Sequence, residues 1–446
     1  MQDSALDLRF PLISGKEVCC RFDGGEITSD AGLLFLAQAD RQLGLTQRLA
    51  QQILDRREPG KIIHSVLDLL RERLYALAAG YEDANDLDSL KTDPALLLSC
   101  GKKVAAQAAL GSQPTLSRLE NSVDSKDLRC LGVALAEFVI ARLPSNTQSV
   151  VLDVDATDDP CHGQQEFEFF NGYYDCHCYV PLLVYVTAED GRQRLLSALL
   201  RPGNASATVG LFGLLRRAIA LLRERFPQVA ITLRADSAFG QEAVLSFCAE
   251  QDLAFVLGLP SNSRLRQLSA SVEAGVKREA AKQQKDVRLF GSFLYQADSW
   301  EAPQQVVCKA EMLADKLNVR YLVHSPRLQS AEQTYLYYCQ RGDRENRIKE
   351  IKADLFSGRT SCTRFLANQF RLLLSAAACV LWNAVQEALS GTPWTNAQIG
   401  TLRLKLVKVG ARVVSSCRRI WLHLPTSSPS QKLWHSLFRK LVPAPG

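Results

Sequence analysis

The sequence predicts an α/β fold with a helical region ahead of it, and three observations carry that prediction. Helical periodicity dominates from Ser29 to Leu143. Two apolar, largely β-branched runs, Ser149-Val-Val-Leu-Asp-Val-Asp155 and Val229-Ala-Ile-Thr-Leu-Arg-Ala-Asp236, read as strands buried on both faces of a central sheet, and each ends in an acid. Period-2 alternation between residues 287 and 323 adds further strands.

In chain order, residues 1 to about 25 read as short strands, with Phe22-Asp-Gly-Gly25 as a turn. Helices are expected over 31–54, 61–79, 115–121 and 125–143, and Pro144-Ser-Asn-Thr-Gln148 is a boundary. Strands at 150–155, 178–187 and 192–200 form a meander. The amphipathic helix 207–225, strand 229–235, helix 241–250 and strand 253–257 continue it as α-β-α-β. From 260 to 331 the pattern breaks. A basic segment with Arg264, Arg266, Lys277, Arg278, Lys282 and Lys285 leads to alternating runs at 287–295, 306–312 and 319–323, an inserted β unit. A helix over 343–356 follows, with Asp343 as N-cap, Ile348, Ile351 and Leu355 as the buried stripe and Gly358 as the stop, and then a long helix over 363–389. The domains expected are a mainly helical 1–144, an α/β domain over 145–390 with an insertion at about 260–330, and a basic segment 391–446.

At 446 residues, 47% of them hydrophobic, the chain has material for two or three cores. Its net charge of +6 does not by itself mark a nucleic-acid protein, but the distribution of charge does more. From Ser390 to Gly446 there is no Asp or Glu, while Arg403, Lys405, Lys408, Arg412, Arg418, Arg419, Lys432, Arg439 and Lys440 are all present. Such a stretch can neutralise phosphates, and the bland alternative is a solvated tail. Thirteen scattered cysteines do not resemble a disulfide framework, which fits a reducing cytoplasm. Residues 1–7 lack the basic and apolar parts of a signal peptide, and the greasiest stretch, 372–382, is too short to span a bilayer.

Three acids stand out: Asp155 and Asp236 at strand ends, and Glu345 at the start of a helix in Tyr338-x2-Arg341-x3-Glu345-x6-Lys352. Singly, each has a plain structural explanation, a turn-former or a helix-dipole partner. Together, strand, strand and helix would bring three hard oxygen ligands to one place, the kind of shell that Mg2+ takes. Phosphodiester cleavage by two such ions, typically roughly 3.5 to 4 Å apart, needs shared carboxylates. Arg341 and Lys352 would neutralise phosphate oxygens, and Tyr338 would position a phosphate or stack on a base. Asp153 competes with Asp155, because residues i and i+2 share one strand face.

These residues resemble the signature of bacterial insertion-sequence transposases of the DDE class, in the branch whose third acid lies in Y-(2)-R-(3)-E-(6)-K. Gly80-Tyr-Glu-Asp-Ala-Asn-Asp86, Ser112-Gln-Pro-Thr-Leu-Ser-Arg118, Asp155-Ala-Thr-Asp-Asp159 with His162-Gly163, and Phe170-Asn-Gly-Tyr-Tyr174 extend the likeness over most of the chain. The resemblance implies an RNase H-like catalytic core with a β-rich insertion between the second Asp and the Glu. It implies Mg2+ (or Mn2+) held by Asp155, Asp236 and Glu345, double-stranded terminal-repeat and target DNA as partners, and a homodimer that pairs two ends. It selects Asp155 over Asp153, because Asp155-Ala-Thr157 matches the Asp-x-Thr step of relatives. Gly342 stands where some relatives carry an aromatic residue. Two rival functions share these features: an RNase H-like nuclease that never joins strands, and a non-enzymatic DNA-binding relative.

Weaker signals remain. Cys161-His162 and Cys176-His-Cys178 offer zinc ligands without a CxxC pair, and half-buried thiols are the usual outcome. The acids Glu82, Asp83, Asp86, Asp88 and Asp93 lack EF-hand spacing and read as caps and surface. Arg118, in Pro114-Thr-Leu-Ser-Arg-Leu-Glu120, is a phosphate- or base-contacting candidate on a helix. No nucleotide cofactor is expected, since Leu96 occupies the first-glycine position of a P-loop ahead of Gly101-Lys102. Arg341-Gly-Asp343 as an adhesion motif does not suit a cytoplasmic chain.

Overall fold

The computed structural model describes residues 8–105, 108–283, 285–314, 316–325 and 330–442, with the backbone alone for residues 13 and 343–346. The chain divides into two compact units: Met1–Ser122 with Leu381–Gly446, and Val123–Val380.

The first unit opens with a hairpin of β1 (Leu8–Ile13) and β2 (Lys16–Cys20), which turns at Ser14 and Gly15, both at positive φ. The expected turn at Phe22–Gly25 follows the hairpin. After β3 (Ile27–Thr28) come α1 (Leu33–Leu43) and α2 (Leu45–Ala50). The single helix expected over 31–54 is split at Gly44, whose φ of 66° ends α1 and sends its N–H back to the Asp40 carbonyl. Helix α3 (Val66–Ala79) starts in a Ser65–Asp68 capping box and ends at Gly80 in the left-handed region. Helices α4 (Asp86–Leu90), α5 (Pro94–Ser99) and α6 (Gln113–Ser122) complete this part. Asp93 caps α5, and Asp86 accepts the Asp83 N–H.

The second unit begins with α7 (Ser125–Ala141), capped by Asp124. Then come β4 (Ser149–Ala156), the short β5 (Asp159–Pro160), β6 (Phe169–Asn171) and β7 (Cys176–Tyr179), and β8 (Leu182–Thr187) and β9 (Gln193–Leu199). The strand expected over 178–187 is two strands in two sheets, because Pro181 has no N–H to give to a ladder. Helix α8 (Leu211–Arg225), β10 (Ala230–Ala235), α9 (Glu242–Glu250) and β11 (Ala254–Leu259) alternate as expected. The basic segment is a 21-residue helix, α10 (Ser263–Gln283). It leads to β12 (Val287–Tyr295), β13 (Gln304–Leu313) and β14 (Lys316–His324). Eight strands form one sheet in the order β12-β13-β14-β11-β10-β4-β8-β9. Within it β10 runs parallel to β4 and β11, and every other pair is antiparallel. The three late strands therefore extend the central sheet through β14.

Helices α11 (Ala331–Cys339) and α12 (Gly342–Asp354) are separated by only Gln340 and Arg341. The expected N-cap at Asp343 is corrected: the helix starts at Gly342, and Arg341 in the cap position already has helical angles. The stop is corrected too. Phe356, at φ 51°, takes the left-handed position, and the Ser357 N–H returns to the Ile351 carbonyl. Ile348, Ile351 and Leu355 are buried as expected. Helix α13 (Phe365–Ala388) follows, and the division between the units falls inside it. It is long and apolar enough to cross a bilayer, but 83% of its most apolar window is buried, as in a core helix.

The C-terminal part of the first unit holds α14 (Ile399–Leu402), a π-helical turn at Arg403–Val407, β15 (Ala411–Ser415), β16 (Ile420–His423) and α15 (Gln431–Leu441). Strand β15 joins β3 and β16 in a three-stranded sheet. Leu433, Leu437 and Leu441 bury one stripe of α15, and Trp434 meets Phe35 edge-on at 4.9 Å.

Candidate functional site

Asp155 is the penultimate residue of β4, and Asp236 is the first residue beyond β10. The two strands are parallel, with Ala235 beside Val154, so both acids leave the sheet at the same edge. Asp236 caps the short 3-10 turn Ser237–Phe239 by accepting the Ala238 N–H at 2.9 Å. A glycine makes room for that turn: a Cβ on Gly258 of β11 would lie 2.7 Å from the Ser237 nitrogen.

One guanidinium nitrogen joins the two acids. Arg341 Nη2 lies 3.1 Å from Asp155 Oδ1 and 3.4 Å from Asp236 Oδ2. The link between α11 and α12 sets Arg341 there, with its guanidinium 6.0 Å from the centre of the Tyr338 ring. Tyr338 rests against the apolar cluster of Val256, Val307, Leu322 and Tyr335. Eleven residues on from Arg341, Lys352 donates to Thr157 Oγ1 at 3.2 Å, the Asp158 carbonyl at 2.8 Å and Asp158 Oδ1 at 2.9 Å. The stripe of Ile348, Ile351 and Leu355 holds α12 in the orientation that aims Lys352 at this loop. Glu345 lies on α12 two turns before Lys352, but its side chain is outside the described residues.

Asp153 has a different environment from Asp155, although both share one strand face. Its two oxygens are held by Arg234 Nε at 2.6 Å and Nη2 at 2.8 Å. Arg234 also donates to the Tyr337 carbonyl and lies over the Tyr337 ring. Burial works against the charge of Arg234, and the hydrogen bonds and charge of Asp153 outweigh it, so its pKa is raised.

Two further groups lie in stretches that carry the family likeness, Asp155–Asp159 and Phe170–Tyr174, without being singled out there as site residues. Burial first, then the charges of Asp158, Tyr173, Asp155 and Asp236, push the Tyr174 hydroxyl up to about 12. Asp159 is 1% exposed, with Oδ2 bonded to Thr360 Oγ1 at 2.7 Å and Oδ1 without a hydrogen bond among the described residues. Burial raises its pKa to about 7 against the opposing pull of Thr360 and Lys352.

The other candidates lie elsewhere. Arg118 is exposed on α6 of the first unit, at a cleft it shares with Arg56, Arg57, Lys61 and Lys91. Cys161 follows β5, and Cys176 and Cys178 lie on β7; His162 is exposed and His177 Nδ1 is 2.9 Å from Glu168 Oε2. Among the described residues no three His, Cys, Asp or Glu side chains converge. What does converge is a pair of hard carboxylate donors, Asp155 and Asp236, already drawn to one cationic nitrogen. That donor set suits a divalent cation that takes its remaining ligands from water and phosphate.

No curated protein matches the chain. The family model for transposase DDE domain group 1 matches it from residue 10 to residue 445, and the chain belongs to that family.

Proposed function

We propose that the protein is the DNA transposase of an insertion sequence: it binds terminal inverted repeats, cleaves the element's ends and joins the freed 3′-hydroxyls to target DNA. The observation that carries this reading is the contact of Arg341 with both Asp155 and Asp236. It ties the Tyr338–Lys352 signature to the two strand-end acids, from stretches of chain more than 80 residues apart. The strand run β9-β8-β4-β10-β11, antiparallel over its first three members and parallel over its last three, supports an RNase H-like core.

Asp155, Asp236 and Glu345 would hold Mg2+ or Mn2+, with Glu345 assigned because it lies between Arg341 and Lys352 on α12. When bound, the metal supplies Lewis-acid activation of the attacking oxygen and charge stabilisation of the leaving one. The chain's own groups do the rest. Lys352 fixes the Thr157–Asp158 loop that follows the first acid, and with Arg341 it offers positive charge to the phosphates of the DNA end. Tyr338, braced on the apolar cluster, sets the direction of the Arg341 guanidinium. The helical N-terminal part, with Arg118, would read the repeat, and a homodimer would pair two ends.

The test is incubation of the purified protein with the DNA flanking its own gene, with Mg2+ or Mn2+, followed by end mapping and a strand-transfer assay. Cleavage at defined ends with joined products supports the reading. Cleavage without joining assigns a nuclease, and binding without any cleavage assigns a DNA-binding relative.

A further inference from the structure

The β15–β16 hairpin of the first unit carries none of the residues proposed to cut DNA. Ala411 and Val413 point inward and are buried, while Arg412 and Val414 point outward. In the register Arg412 sits opposite His423 and, on its other side, Ile27, and Val414 sits opposite Trp421. Trp421 is 54% exposed, and its ring stacks with that of His423 at 6.5 Å and an interplanar angle of 21°.

At the tip, Ser416 closes a four-residue turn: its N–H and Oγ both donate to the Arg419 carbonyl, and its Oγ accepts the Arg419 N–H. Arg418 and Arg419 are exposed on that turn. Among the described residues no carboxylate lies within ion-pair distance of Arg412, Arg418 or Arg419, and the sequence from 390 to 446 has no acid to offer them.

Arginine is never neutralised by proton loss, and an exposed large aromatic ring beside three uncompensated guanidiniums has the chemistry of a nucleic-acid contact. A two-stranded ribbon has the width that a duplex major groove admits. We infer that this hairpin is a second, sequence-independent DNA contact: Arg412, Arg418 and Arg419 take backbone phosphates of duplex DNA, and Trp421 lies against the groove. The inference rests on the transposase reading for its choice of a polyanionic partner, but it concerns residues other than the acids.

The experiment is equilibrium binding of the full-length protein to a duplex of random sequence over a range of salt concentrations. Each phosphate contact contributes about 0.9 to the slope of log K against log salt. The variant Arg412→Gln/Arg418→Gln/Arg419→Gln is expected to lower that slope by about 2 to 3. Trp421→Ala is expected to weaken binding about tenfold with the slope unchanged, as loss of an uncharged groove contact would. Should the triple variant misfold, Arg418→Gln and Arg419→Gln singly, both on the exposed turn, are each expected to lower the slope by about 0.9.

A folded triple variant with the wild-type slope overturns the inference. So does an altered oligomeric mass at unchanged slope, which assigns the face to a second copy of the chain. Because the wild-type protein is assayed for end cleavage alongside, the two readings fail separately. Cleavage with unaltered slopes sinks the hairpin alone, whereas a wild-type protein that binds no DNA sinks the transposase reading with it.

Discussion

Asp153 and Arg234 are direct neighbours across β4 and β10, and the guanidinium grips both carboxylate oxygens at 2.6 and 2.8 Å with neither side chain more than 2% exposed. A buried pair of this geometry leaves an uncompensated charge when one partner is removed, at a cost of about 3–5 kcal/mol. Arg234→Met is therefore expected to destabilise the protein by that amount in urea denaturation. Asp153→Asn should lower cleavage only as far as it lowers the folded fraction. If Asp153→Asn instead abolishes cleavage in a fully folded protein, Asp153 and not Asp155 is the first acid.

Asp155 and Asp236 belong to the opposite class, because their shared partner is a single nitrogen of a side chain that the proposed chemistry also needs. Asp155→Asn, Asp236→Asn and Glu345→Gln are each expected to keep DNA binding and to lose cleavage by at least about 10²-fold, the scale for removing one electrostatic stabiliser of a transition state. Chelation should stop cleavage by the wild-type protein, and added Mg2+ or Mn2+ should restore it. Normal end cleavage by any one variant removes that residue from the site.

Lys352 reaches three oxygens of Thr157 and Asp158, yet its side chain is 30% exposed, so the ion pair contributes at most about 1 kcal/mol to stability. Its value is positional, since it fixes the residues that follow Asp155. Lys352→Met is expected to shift the melting temperature little while slowing cleavage about tenfold or more. Proportional losses of stability and rate would reduce Lys352 to a structural role.

How much of this was legible in the sequence follows from what each residue needs. The strand ends at Asp155 and Asp236 were visible because a strand buried on both faces has a nearly continuous apolar run, and a terminal acid interrupts it. The helix carrying Ile348, Ile351 and Leu355 was visible by its spacing. The Arg234 partnership was not, because register between strands 81 residues apart is set by packing and leaves no local mark. Gly44 and Pro181 broke elements that periodicity alone ran together. The lack of acids after Ser390 pointed to phosphate neutralisation, with a solvated tail as the bland alternative, and said nothing of secondary structure. The spacing of Leu433, Leu437 and Leu441 was the signal that a buried helix lay inside that stretch. Tyr174 and Asp159 lay inside stretches that carry the family likeness but drew no role of their own, because the small sheet β5-β7-β6 around them has strands of two to four residues, too short to show a period.

Asp159 also gives the fold a pH dependence of definite sign. Its folded-state pKa is raised to about 7 by burial, above the roughly 4 of an unfolded chain. Between those values the native state binds more protons than the unfolded one, so this group's contribution to stability falls as pH rises from about 4 to about 7 and stays lost above. Asparagine keeps the shape and can accept from Thr360 without carrying charge. Asp159→Asn should therefore melt higher than wild type at pH 8 and show little or no advantage at pH 4. Glu72, raised by burial to about 8, pulls in the same direction, but it is common to both proteins and cancels in the difference. A difference in melting temperature that does not grow with pH would mean that Asp159 is ionised at neutral pH in the native state, with Lys352 and Thr360 together overcoming its burial.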